Sequence, residues 1–142
     1  MIIPEVVRVG SVFYEVKTQE TPIVMSGIQC LGYCDAYNHT IMLDVTMQDD
    51  QTLEQTFCHE LVHAMMFERK LNLESMGLSN AQMEEVVDNL GLALHQVLLD
   101  NPDIALSPEE YDAKHPPEKE EQVYKEPQVQ KLPSKHTRKI GF

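Results

Sequence analysis

One short motif constrains what this chain can fold into more than any other feature: His59, Glu60 and His63, in the spacing His-Glu-x-x-His. On a helix both imidazoles lie on one face and can bind a single Zn²⁺ at roughly 2.0–2.1 Å. The glutamate then lies close enough to the open side of the metal to accept a proton from its water. The flanking residues are mostly apolar, as in a buried helix. Burying two histidines and a glutamate there without a partner would be costly, so the pattern favours a zinc-binding helix over a chance match.

A catalytic zinc usually has three protein ligands and leaves its fourth position to water. The candidates for the third ligand are Glu84, Glu85 and Asp88. Glu84 and Asp88 share a helix face, so we expect Glu84 to bind the metal and Asp88 to accept the second N–H of a histidine. Glu85 points about 100° away, as expected for a solvated helix start, but the choice among the three stays open. His95 lies roughly 16 Å along the helix from Glu84, which is too far for a ligand of the same metal ion. We therefore expect His95 to be a capped or half-exposed side chain.

The periodicity of the sequence predicts an α+β fold. Two pairs of β-rich runs, each joined by a tight turn, cover residues 6–9, 12–17, 30–35 and 40–44. Asp49, Asp50 and Thr52 are N-cap candidates for a helix to about residue 70. A capping box at 79–82 predicts a second helix to about residue 100. We expect a small, mostly antiparallel, twisted sheet covered by the helix that carries the histidines. The second helix would pack beside it and supply the third ligand.

The charge is unevenly distributed along the chain. Residues 1–106 contain 16 Asp and Glu against four Lys and Arg, a net charge of −12, whereas residues 107–142 contain seven of each. A phosphate backbone needs clustered Lys or Arg, so we expect no direct binding of nucleic acid. The field of the acidic part favours a basic protein or peptide as partner.

The composition also predicts the domain organisation. Residues 1–106 have the apolar patterning of one folded domain. Residues 107–142 are rich in proline and charge, and they cannot bury enough surface to offset their ordering entropy. We therefore predict a disordered C-terminal tail, in which residues 107–111 could form one helical turn.

Cysteine usage and hydropathy indicate the compartment. The three cysteines Cys30, Cys34 and Cys58 form no disulfide framework, which suits a reducing cytosol. There is no apolar run of about 18 residues and no pattern of a secretory signal, so we expect a cytoplasmic protein without a membrane partner. Cys30, Cys34 and His39 could form a second metal site, but a fourth ligand is missing, and packing as small hydrophobic residues is favoured.

The chain resembles the ImmA/IrrE-like metallopeptidases, in particular the compact zincins of phages and prophages of Gram-positive bacteria. The resemblance spans roughly residues 6–100 and is carried by residues 56–64, by the preceding strands at 32–33 and 40–44, and by Glu84-x-x-x-Asp88. The last pattern is similar to the glutamate-then-aspartate arrangement of gluzincins.

The resemblance implies an intracellular zinc metallopeptidase that cuts a repressor or another regulator, in the host cytoplasm if a phage encodes it. His59, His63 and Glu84 would bind Zn²⁺, Glu60 would be the general base, and Asp88 would orient a histidine. The substrate would be an extended protein or peptide segment that could pair with a strand edge. The alternative is an acidic, zincin-shaped protein that binds and inhibits a host factor without proteolysis. A third possibility, a mimic of DNA, rests only on charge. The oligomeric state is not predicted.

Overall fold

The computed structural model describes residues 1–118, and contacts divide the chain into the units Met1–Ala105 and Leu106–Phe142. The strands of the described part are β1 (Val6–Val9), β2 (Val12–Gln19), β3 (Ile23–Met25), β4 (Ile28–Cys30), β5 (Gly32–Asp35) and β6 (Thr40–Asp44). Its α-helices are α1 (Asp50–Glu68), α2 (Asn80–Asp100) and α3 (Pro108–Lys114), and a 3-10 turn covers Glu74–Met76. The predicted α+β class is confirmed.

Four strands form the main sheet, in the order β1-β2-β6-β5. The β1–β2 and β5–β6 pairs are antiparallel, and β2 and β6 run parallel at the centre, where Val16 lies opposite Ile41. The sheet is therefore mostly antiparallel, as predicted. A parallel pair needs a crossover connection, which the chain between β2 and β6 supplies. Part of that connection is a separate antiparallel hairpin of β3 and β4, which the sequence did not predict because its strands have only three residues each.

The hydrophobic core lies between the main sheet and α1. Alternation along β2 and β6 turns Tyr14, Ile41 and Leu43 toward the helix, where each is fully buried. Helix α1 also packs closely on the edge strand β5 at Gly32. A Cβ on that glycine would lie 2.9 Å from the Thr56 Cγ2 atom. The start of β5 is thereby held against the middle of α1, close to the two histidines.

Local capping explains where α1 begins and ends. The Asp49 side chain accepts a hydrogen bond from the Thr52 N–H at 2.8 Å, as the sequence predicts. The helix ends at Glu68, two residues before the predicted end, because Lys70 adopts a left-handed backbone conformation (φ 54°) that cannot continue it.

Helix α2 begins with the predicted capping box, in which Ser79 and Gln82 each bind the other's backbone N–H through their side chains. It ends at Asp100, where the sequence places its end. Among the described residues no helix is both long enough and apolar enough to cross a membrane.

Helix α3 corrects part of the prediction for the tail. A capping box between Ser107 and Glu110, with Pro108 as the first helical residue, begins a helix of seven residues instead of a single turn. Local capping therefore outweighs the polar composition of this stretch. Residues 119–142, on which most of the predicted disorder falls, lie outside the described residues.

Candidate metal centre

His59 and His63 lie on consecutive turns of α1, and their ring centroids are 4.9 Å apart. The potential ligand atoms of His59, Glu60 and His63 all lie within 4.8 Å of one another. Across residues 1–118, no other group of three or more His, Cys, Asp or Glu residues brings its potential ligand atoms this close together. The motif therefore forms a site that could hold a metal ion.

Helix α2 brings two carboxylates to the histidines. The Glu84 carboxylate spans both rings, with Oε2 at 3.5 Å from His59 Nε2 and Oε1 at 3.5 Å from His63 Nε2. Asp88, one turn further along, places its Oδ1 atom 2.7 Å from His59 Nδ1. At that distance a carboxylate favours a proton on Nδ1, which leaves the Nε2 lone pair facing Glu84. The adjacent Glu85 lines neither of the two cavities at the site.

Burial favours the neutral forms of two side chains of the site, Glu60 and His63. Glu60 is 6% exposed, and its burial, together with the nearby carboxylates of Glu84 and Asp88, raises its pKa to about 7. Burial likewise lowers the pKa of His63. A neutral imidazole is the form that binds a metal, and a bound cation would stabilise the Glu60 carboxylate against its burial.

Close packing at Gly91 sets the distance between the two helices beside the site. A Cβ on Gly91 would lie 3.0 Å from the Cα atom and 3.1 Å from the backbone nitrogen of His59. Gly91 follows Asp88 by three residues and therefore shares its face of α2. Sequence reasoning gave no role to this glycine. The sequence feature that could have indicated this role is a lone glycine inside a predicted helix, on the same face as Glu84 and Asp88.

A contact between a buried histidine and a half-buried glutamate fixes α2 against α1 one turn further along. His95 is 5% exposed, and its Nε2 atom lies 2.8 Å from Oε2 of Glu54 on α1. The expectation of a capped or half-exposed histidine is therefore wrong, because sequence alone did not reveal the partner on the other helix. Together with Gly91, the pair holds the stripe of Glu84 and Asp88 toward the histidines.

The substitution Gly91→Ala should lower both the thermal stability and the affinity for a metal ion. The added methyl group meets the backbone of α1, and overpacking of this kind costs about 1–3 kcal/mol, against a gain of about 1 kcal/mol in helix propensity. Melting followed by circular dichroism and a metal titration measure the two effects. Ala93→Val, on the exposed face of the same helix, is the control and should change neither by much. Unchanged stability and affinity in Gly91→Ala would show that α1 tolerates a larger separation at His59.

The cysteines do not join the metal group. Cys30 and Cys34 are half-buried instead of packed in the core as small hydrophobic residues, and both line the cavity in front of the histidines. Burial raises the pKa of Cys34 to about 12 and that of the buried Cys58 to about 11, so both thiols stay protonated. His39 lies elsewhere, with Nε2 3.9 Å from a carboxylate oxygen of Glu68. No second metal group is formed by these residues in the described part of the chain.

Two cavities meet at the candidate centre. The first, of about 900 Å³, is lined on one side by residues of α1 and α2, including Glu60, and on the other by β5 and the β3–β4 hairpin. The second, of about 720 Å³, extends toward the C-terminal end of α1. The residues common to both linings are His63, Phe67, Asn80 and Glu84. Two of the candidate ligands therefore stand at the junction of the cavities.

Comparison with known proteins gives no match: no family model, no curated protein and no solved structure is similar to the chain. The resemblance to the ImmA/IrrE-like metallopeptidases thus stays a prediction based on the residues that carry it.

Proposed function

We propose that the protein is a zinc-dependent metallopeptidase that hydrolyses peptide bonds of an intracellular protein. His59, His63 and Glu84 bind the Zn²⁺, Glu60 is the general base, and Asp88 orients His59. The observation that carries the proposal is the position of the Glu84 carboxylate, which lies 3.5 Å from the Nε2 atom of each histidine.

These distances fit ligands that share a metal ion. Two ligands of a tetrahedral Zn²⁺, each at about 2.0–2.1 Å, are separated by roughly 3.4 Å. A charge-assisted hydrogen bond between an imidazole and a carboxylate would be shorter, at about 2.7–2.9 Å. The Glu84 oxygens thus have the spacing of co-ligands, while the 2.7 Å contact of Asp88 has that of a direct partner of His59. Two imidazoles and one carboxylate are a donor set that suits catalytic zinc.

The side chains of the site can perform the proton transfers of hydrolysis. When bound, Zn²⁺ acts as a Lewis acid that polarises the substrate carbonyl and lowers the pKa of a water toward ~7. Glu60 accepts a proton from the attacking water as the new C–O bond forms. It donates that proton to the amine nitrogen as the C–N bond breaks. Asp88 keeps the His59 ring in a fixed orientation throughout.

The edge strand β5 offers a place for the substrate main chain. It is the last strand in the order of the main sheet and pairs with β6 on one side. Tyr33 and Cys34 of this strand line the cavity opposite Glu60. An extended polypeptide could add to this edge as a further strand, which binds the main chain with little dependence on sequence.

Zinc titration of three variants tests the assignment of the third ligand. Glu84→Ala removes one of three donors and should weaken zinc binding most. Asp88→Ala acts through the orientation of His59 and should cost about 10–100-fold in affinity. Glu85→Ala is the matched control, since this neighbouring glutamate lies outside both cavities, and it should change the affinity little. A larger loss in Glu85→Ala than in Glu84→Ala would mean that α2 is rotated relative to the assignment.

A second candidate function is binding and inhibition of a partner without proteolysis, which the net charge of −12 over residues 1–106 favours. Metal analysis of the purified protein and mapping of new protein termini in cells that express it separate the two. The metallopeptidase proposal expects one zinc per chain, with new termini that are absent when Glu60→Gln is expressed instead. The same biological effect from both proteins, with no new termini, would support inhibition.

A further inference from the structure

Both cavities at the candidate centre are lined by large apolar side chains in addition to the candidate ligands. We infer that the site takes an internal, extended segment of a protein that carries a large apolar side chain on each side of the cleaved bond. The inference rests on the proposed function and specifies the class of substrate.

The β3–β4 hairpin forms one apolar wall. Met25, Ile28 and Leu31 line the cavity in front of the histidines, and Ile28 is 68% exposed. The hairpin pairs within its own two-stranded sheet, apart from the main sheet. Met25 and Ile28 of the hairpin face the cavity. An apolar substrate side chain would remove them from water at about 25 cal/mol per Å².

The second cavity supplies an apolar site on the other side of the centre. Its lining includes the apolar side chains of Met66, Leu71, Leu73, Met83 and Val87. None of these lines the first cavity, and none of the hairpin residues lines the second. Because His63 and Glu84 belong to both linings, a chain that crosses the centre passes from one apolar region to the other.

The charges of the lining favour an internal segment over a chain end. Lys and Arg form the strongest hydrogen bonds to a free carboxylate, and neither residue type lines the larger cavity among the described residues. The second cavity has Lys70 in its lining, but this residue is exposed, and exposed ion pairs contribute little. Glu84 and Asp88 lie against the histidines, at 3.5 Å and 2.7 Å, so a terminal amine would compete with these contacts.

Peptides with blocked ends test the inference. One peptide carries leucine on each side of its central bond, and a second carries serine at both positions. We expect the wild-type protein to cleave the leucine peptide about 100-fold faster, about tenfold for each apolar side chain. We also expect the zinc-loaded Glu60→Gln protein, which does not hydrolyse the peptide, to bind the leucine peptide more tightly by calorimetry.

Matched variants locate the two apolar regions. Ile28→Ser and Leu71→Ser should each weaken binding of the leucine peptide about tenfold, since each removes an apolar lining residue. The controls are Val24→Ser, on the same hairpin and 63% exposed, and Leu99→Ser, on α2 and 49% exposed. Neither control residue lines a cavity, so both should bind the peptide like the parent.

Failure of the inference and failure of the proposed function give different results. Equal cleavage and binding of the two peptides, or equal losses in Ile28→Ser and Val24→Ser, overturn the apolar preference and leave the metallopeptidase proposal intact. A strong preference for a peptide with a free carboxyl end overturns the internal mode of binding. If the wild-type protein cleaves neither peptide nor any protein, the proposed function fails, and the binding preference of the Glu60→Gln protein decides the inference by itself.

Discussion

The substitution Glu60→Gln should abolish hydrolysis while the protein keeps its fold and its zinc. Glutamine has nearly the same size as glutamate but cannot accept a proton from water, and general-base catalysis contributes about 10²–10⁴-fold to the rate. We therefore expect kcat/KM to fall by at least about 100-fold. Cleavage of the end-blocked leucine peptide, with zinc content and melting temperature measured on the same preparation, gives the result.

Glu85→Gln is the matched control for this prediction, because it makes the same chemical change on a residue outside both cavities. Its activity should equal that of the wild type. If Glu60→Gln retained full activity, Glu60 could not be the general base. If the wild type were inactive, and the wild type and Glu60→Gln bound the same partner, the result would favour the second candidate function, binding and inhibition without proteolysis.

The helices were the most predictable part of the fold because their signals are local. The Asp49 cap and the Ser79 capping box depend on residues within one turn, and both occur as predicted. The parallel pairing of β2 with β6 was not predictable in this way. It depends on contacts between segments separated by the β3–β4 hairpin, whose three-residue strands are too short to show an alternation.

The candidate site likewise has one part that local sequence predicts and one part that depends on contacts between distant residues. The spacing of His59 and His63 places them on one helix face, as helix geometry requires. Which face of α2 meets them is set by contacts that the sequence did not reveal, namely the close approach at Gly91 and the contact of Glu54 with the buried His95. The structure brings Glu84 and Asp88 beside the histidines, and their roles as ligand and orienting group stay predictions.

Removal of either histidine should eliminate zinc binding. With His59→Ala or His63→Ala, only two donors remain, which is fewer than the three protein ligands of a catalytic zinc site. A ligand that binds only the folded state stabilises it by RT ln(1 + [Zn]/Kd), about 2.7 kcal/mol at a concentration of 100 Kd. Added zinc should therefore raise the melting temperature of the wild type and leave that of either variant unchanged.

His39→Ala is the control for this experiment, since it removes an imidazole of the same domain that lies outside the metal group. It should retain one zinc per chain and the stabilisation by zinc, even if the loss of its contact with Glu68 lowers the melting temperature. Metal analysis after gel filtration, followed by melting with added zinc and with a chelator, measures both properties. Full zinc occupancy in His59→Ala or His63→Ala would falsify the assignment, because neither imidazole could then be a required ligand.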